Sequence, residues 1–207
     1  VDPLWAIVGS GDHNGDGRAD ILWRNTSTGG AAIWFMNGTA VIGGGGFTTV
    51  DPAWLIVGSG DYNADGKADI LWRNTSGAAA IWFMNGTTTI GGGGFTTVDP
   101  SWKIVGTADY NGDSRSDILW RNTSGAAAIW FMNGTTTIGG GGFATVDPSW
   151  KIVGTGDYNG DAKADILWRN TSGATTIWFM NGTTTIGGGG IGTIDPSWQV
   201  MPLAGQP

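Results

Sequence analysis

The chain has no cysteine, no glutamate and a single histidine among its 207 residues. Without cysteine there is no disulfide framework and no thiolate metal site. Charged residues make up only 13 %. The 10 lysines and arginines are spread along the chain with no basic run, so nucleic acid is not an expected partner. No stretch of about 18 apolar residues occurs, and no membrane insertion is expected. No segment holds a 3.6-residue apolar period long enough for a helix. Val1-Asp2-Pro3 shows no basic and apolar leader, which leaves export open, because cleavage removes such segments.

Reagents for catalysis are equally scarce. The one histidine, His13, lies inside an acidic loop. No acid–base or nucleophile–base pair can be assembled without consuming a candidate metal ligand. The expectation is a protein that is not an enzyme.

Glycine (39 residues) and tryptophan (13) are both far above ordinary usage. All 17 acidic residues are aspartate, and their placement is regular. Asp2, Asp51, Asp99, Asp147 and Asp195 each precede proline. The others fill four copies of one loop, Asp-x-Asn-x-Asp-x-x-x-Asp, starting at Asp12, Asp61, Asp109 and Asp157. Each copy runs straight into Ile-Leu-Trp-Arg-Asn. A period near 48 residues marks an array of one supersecondary unit. Residues 69–95 and 117–143 are identical throughout, which points to recent duplication or design.

Residues 51–98 show what one unit holds. Trp54–Gly58 is a short apolar run, followed by the loop at 61–69 and a second run, Ile70–Asn74. Thr75-Ser-Gly77 is a turn, and Ala78–Met84 is a third run ending in Asn85-Gly86, a strong hairpin signal. Thr87–Ile90 is a fourth, β-branched run, after which Gly91–Gly94 and Phe95–Val98 lead to the next Asp-Pro. Four short strands with turns between them predict an antiparallel meander. The third run is apolar on both faces, as befits a strand covered on both sides. Four strands per unit of this length is the size of a β-propeller blade. The fold class is therefore all-β, a β-propeller of four-stranded antiparallel blades. The repeats are 2–50, 51–98, 99–146 and 147–194 of one propeller domain, with 195–207 as an extra closing strand and tail. If strands run outward from the axis, the acidic loop and the Asn-Gly turn share one rim.

The loop chemistry suits a hard cation bound by oxygen. The candidate ligands of the first copy are Asp12, Asn14, Asp16, the Arg18 carbonyl and Asp20. In the second they are Asp61, Asn63, Asp65, the Lys67 carbonyl and Asp69. Asp109, Asn111, Asp113, Arg115 and Asp117 make the third set, and Asp157, Asn159, Asp161, Lys163 and Asp165 the fourth. Calcium, up to four ions per chain, is the expected cofactor. An EF-hand is excluded, because position 12 is tryptophan on a strand rather than glutamate between helices. A metal-free series of Asx-turns is the competing account, at the cost of crowding three carboxylates. Loop position 6 is Gly17 and Gly66 but Ser114 and Ala162. Since glycine there serves a positive φ, the third and fourth copies are expected to carry strain.

This loop, once per four-stranded unit, resembles the FG-GAP/VCBS repeats of integrin-type and secreted bacterial propellers. The tryptophan-rich blades also resemble propeller lectins of the Psathyrella velutina type. The resemblance implies a calcium-bearing propeller, secreted or at a cell surface, that binds glycans or proteins; the expected function is a calcium-stabilised carbohydrate-binding propeller, a lectin with repeated glycan sites, and the alternative is a structural or protein-binding module. The chain departs from the usual seven repeats in having four.

For glycans, the candidate contacts are Trp54, Trp102 and Trp150, which follow Asp-Pro, with Arg73, Arg121, Asn74 and Asn122 at the ends of second strands. An indole face beside fixed donors suits a sugar ring. The alternative is that Trp and Pro pack the crossover while Arg and Asn cap turns. Asn25-Thr-Ser and Asn37-Gly-Thr fit a glycosylation acceptor, but turn chemistry accounts for them as well. The expected assembly is a monomeric ring or a homodimer, since near-identical blades can exchange partners.

Overall fold

The computed structural model describes residues 2–198 and 200. The fold is all-β, built of four β-propeller blades of four antiparallel strands each. β1 (Trp5–Gly11), β2 (Asp20–Asn25), β3 (Gly30–Asn37) and β4 (Ala40–Thr49) form blade one. β5 (Trp54–Gly60), β6 (Asp69–Asn74), β7 (Ala78–Asn85) and β8 (Thr88–Thr97) form blade two. Blade three holds β9 (Trp102–Ala108), β10 (Asp117–Asn122), β11 (Ala126–Asn133) and β12 (Thr136–Thr145). Blade four holds β13 (Trp150–Gly156), β14 (Asp165–Asn170), β15 (Ala174–Asn181) and β16 (Thr184–Thr193). Strands lie side by side in chain order within every blade.

The chain divides into two compact units. The first comprises blades one and two together with Gly134–Thr136; the second comprises the rest of blades three and four. In the first unit Leu22 and Ile33 of blade one pack on Ile56, Ile70 and Trp72 of blade two. In the second, Leu119 and Ile129 of blade three pack on Ile152, Ile166 and Trp168 of blade four. Strand alternation sorts these residues. Leu22 and Ile33 pair across β2 and β3 and share the face that meets the following blade. Ile70 and Trp82 pair across β6 and β7 on the opposite face, toward the preceding blade. Trp72 and Trp82 lie there with ring centroids 5.1 Å apart at 55°, a tilted contact that aromatic quadrupoles favour.

One expectation needs correction. The fourth strand does not stop before the glycine tract; β8 runs through it from Thr88 to Thr97. The strand bulges twice against its partner, between Ala79 and Ala80 and between Phe83 and Met84. Glycine makes the bulge possible. A Cβ on Gly92 (φ 97°) would sit 2.1 Å from the Ile81 carbonyl oxygen. The proposed closing strand at 195–207 lies mostly outside the described residues; within them, 195–198 is a turn without strand pairing.

Candidate functional site: the acidic loops and the strand-end arginines

Each acidic loop connects the first strand of a blade to the second, and the Asn-Gly turn lies at the same end. In the first unit the Gly86 amide of one such turn donates to the His13 carbonyl of the first loop, at 2.8 Å. In the second unit Gly182 donates to Tyr110 in the same way, at 2.8 Å.

The loop folds around its first aspartate. The Asp12 carboxylate accepts the amides of Gly15, Asp16 and Gly17 at 2.7, 3.0 and 2.7 Å. Asn14 Oδ1 accepts the Asp16 amide, and Asp16 Oδ1 accepts the Arg18 amide. Asp109 and Asp157 each gather three amides likewise. The wrap requires left-handed residues. Position 6 has φ 83° at Gly17 and 80° at Gly66, but also 66° at Ser114 and 64° at Ala162. Position 4 adds Ala64 at 61°, which the sequence had not singled out. A non-glycine residue held there costs about 1 kcal/mol.

The ninth position differs from the others. Asp20, Asp69, Asp117 and Asp165 are each 0 % exposed. Asp69 Oδ2 accepts the Tyr62 amide of the loop at 3.0 Å, and Oδ1 accepts the Met84 amide of β7 at 2.9 Å. The other three do the same with their own loop and third strand. This carboxylate therefore ties the loop to the blade. Burial raises the Asp69 and Asp117 carboxyls to about 7, against the lowering pull of their two amides. Their hydrogen-bonded neighbours could not be read from composition. The signal was the position itself, since an aspartate opening a strand falls on the same side as Leu71 and Arg73.

The side chains of the candidate ligands all offer oxygen, although Oδ1 of Asp12, Asp109 and Asp157 each already accepts two amides. In donor type the residues fit a hard cation such as calcium. Among the described residues, however, no three acidic or histidine side chains are gathered as a metal cluster. The hydrogen bonds of the loop are those of a run of Asx-turns.

His13 stands where the other loops have tyrosine. It is fully buried, and its Nδ1–H donates to the Ala68 carbonyl at 2.6 Å. Desolvation lowers its pKa, opposed by that bond and by Asp20 and Asp12.

At the opposite end the arginines that close each second strand serve the backbone. Arg24 donates to the carbonyls of Gly29, Val50 (2.8 Å), Asp51 (3.2 Å) and Trp54 (3.0 Å). Arg73 donates to Gly77, Val98 and Asp99, and Arg121 to Gly125, Val146, Asp147 and Trp150. Burial lowers the pKa of all three, opposed by Asp51, Asp99 and Asp147. Asn74 Oδ1 caps the turn by accepting the Ser76 amide, and Asn122 Oδ1 accepts that of Ser124. Trp54 pairs with Asn74 across the first two strands, and Trp150 with Asn170. Trp54, Trp102 and Trp150 are half-buried, and Trp54 and Trp150 pack on the cores of their units. The structure thus places the expected Trp, Arg and Asn at one end, but the arginine donors face main-chain carbonyls. A cleft of about 600 Å³ opens in the second unit beside Trp150, Trp168 and Trp178, with Thr175, Thr176 and Thr193 on its wall.

Blades of this form, each opening on an Asp/Asn loop, define a repeat propeller of the loop-bearing type. The profile of the FG-GAP-like repeat family matches residues 12–72, 61–120 and 109–168. Each match starts on the first aspartate of a loop and ends on the second-strand tryptophan of the next blade. The chain belongs to the FG-GAP-like repeat family. No curated protein matches it.

Proposed function

We propose that the chain is a non-catalytic propeller module that presents a binding surface outside the cell, with its loops pinned by calcium. One observation carries this reading: the polar side chains that recur along the repeats are committed to the chain's own backbone. Arg24, Arg73 and Arg121 hold crossover carbonyls. Asp20, Asp69, Asp117 and Asp165 hold loop and strand amides. Such residues build a rigid scaffold, and recognition then falls to what the rims display. Calcium suits this setting, because extracellular modules work with sites as weak as about 10⁻⁴–10⁻³ M. Asp12, Asn14, Asp16 and Asp20, with the Arg18 carbonyl, would hold the ion in the first loop, and the equivalent residues in the others. The ion would supply the positive charge that packed carboxylates lack.

A protein ligand or a structural role is the primary reading. The glycan reading rests on the cleft lined by Trp150, Trp168 and Trp178 together with Thr175, Thr176 and Thr193. A broad glycan array probed with folded, calcium-loaded protein separates the two. Binding that is lost on Trp150→Ala, with the fold intact, supports a lectin. A blank array leaves the protein-binding or structural role.

A further inference from the structure

The fourth repeat departs from the other three in the middle of its third strand. Where they carry Ala31-Ala32, Ala79-Ala80 and Ala127-Ala128, it carries Thr175-Thr176. The alanines are buried in all three repeats, at 1 % exposure in the first position and 6 or 7 % in the second. Both threonines line the cleft of the second unit.

Their hydroxyls do different things. Thr175 Oγ1 donates to the Gly192 carbonyl of β16 at 2.8 Å, where the register of the two strands shifts. That bond fixes the outer wall of the cleft. Thr176 pairs with Trp168 across β14 and β15, so both side chains leave the same face of the sheet. Trp178, two residues further along β15, leaves it too. Trp168 is fully buried, whereas Thr176 is half-exposed. Among the described residues the Thr176 hydroxyl has no hydrogen-bond partner.

The lining selects a chemistry. Every residue in it is uncharged. Arg121 lies 5.0 Å from the Trp168 centroid, but its guanidinium donates to the carbonyls of Gly125, Val146, Asp147 and Trp150. A carboxylate or sulfate entering the cleft would lose its water and meet no uncommitted cation there. A purely apolar ligand would leave the Thr176 hydroxyl unpaired. A neutral sugar ring answers both walls, since its C–H face packs on indole and its hydroxyls both donate and accept. The volume of about 600 Å³ falls among those of small-ligand sites, about 300–1,000 Å³.

We infer that this cleft takes a neutral saccharide and that Thr176 is its specificity-determining residue, the threonine hydroxyl bonding to a hydroxyl of the sugar. The inference rests on the glycan reading above. It narrows that reading to uncharged sugars and to the one repeat whose wall carries hydroxyls in place of alanine methyls.

The test is a glycan array carrying neutral, sialylated and sulfated oligosaccharides, probed with the 207-residue protein, each hit then being titrated by calorimetry. Neutral oligosaccharides should bind, and adding sialic acid or sulfate to the bound ring should abolish binding. Thr176→Ala installs the residue of the other three repeats, so the variant should keep a cooperative melt. It should weaken the neutral hit at least threefold, the loss of about one hydrogen bond. Thr176→Ser, which keeps the hydroxyl, should bind within threefold of the wild type. A change below threefold on Thr176→Ala, or an equal loss in both variants, overturns the role of Thr176. If Trp150→Ala still abolishes binding in that case, the glycan reading itself stands. Tighter binding of acidic than of neutral oligosaccharides overturns the choice of ligand. A blank array overturns both the inference and the glycan reading.

Discussion

The guanidinium carbon of Arg24 lies 5.1 Å from the centre of the Trp72 ring, across the seam between blades one and two. Its nitrogens meanwhile hold crossover carbonyls at Val50, Asp51 and Trp54. One planar cation thus stacks on the next blade and ties the chain that leads into it, which lysine cannot do in the same geometry.

Arg24→Lys should therefore destabilise the protein by about 2–3 kcal/mol, from the stacked contact and the carbonyls left without donors. Urea melts monitored by tryptophan fluorescence measure this. A change within a few tenths of a kcal/mol would show that the carbonyls find other partners.

The first and last aspartates of a loop should respond differently to mutation. Asp69→Asn sets an amide NH₂ against an amide N–H in a buried place and should cost about 2 kcal/mol even in chelator. Asp65→Asn, on the exposed part of the loop, should cost well under 1 kcal/mol in chelator. If calcium binds, it should raise the melting temperature of the wild type by mass action, and both variants should weaken that rise. Calorimetric titration with calcium, with and without each substitution, gives both quantities.

Strain in the loops should be removable. Ser114→Gly and Ala162→Gly should each leave stability unchanged or raise it by up to about 1 kcal/mol, relief of left-handed strain being offset by unfolded-state entropy. Gly66→Ala should lower it by at least about 1 kcal/mol. Thermal melts of the three variants test the set. A loss on Ala162→Gly as large as that on Gly66→Ala would contradict it.

Two buried groups give opposite pH slopes. Asp69 and Asp117 have folded pKa values of about 7 against 3.8 in a free chain. They favour the fold below about pH 4, and that contribution is lost as pH rises toward 7. His13, with its pKa lowered by burial, acts in reverse: its contribution is present above pH 6.5 and lost as pH falls. Asp147 and Asp195, held low by the Ser149 and Ser197 amides, titrate below this range. In chelator, His13→Tyr should therefore melt higher at pH 5 than at pH 8. The wild type should show a smaller difference or the reverse. Equal slopes in the two proteins would remove His13 from the account.

The blade was legible in the sequence because its signals are local. The 48-residue period, the Asn85-Gly86 turn and the two-faced apolar run of β7 each act within one unit. The acidic loop was legible for the same reason. What the sequence hid lies between units of the pattern. The ninth aspartate looked like one more ligand, yet its oxygens meet amides from two separate segments, as Asp69 does with Tyr62 and Met84. Arg73 looked like a rim donor, yet its partners at Val98 and Asp99 lie a half-repeat away in sequence. The glycine row, which reads as a place where the outer strand can bend or bulge, does so: Gly92 lets β8 bulge and continue.

Those bulges bear on the fate of so repetitive a chain. The outermost strand of a blade is an unpaired edge, and identical edges on crowded chains are templates for runaway sheet extension. β4, β8 and β16 each break register twice against their neighbours. Their free rims therefore offer an incoming strand no uninterrupted row of partners. Straightening one of them, by a deletion within the glycine tract, would restore an uninterrupted edge of the kind that templates fibres.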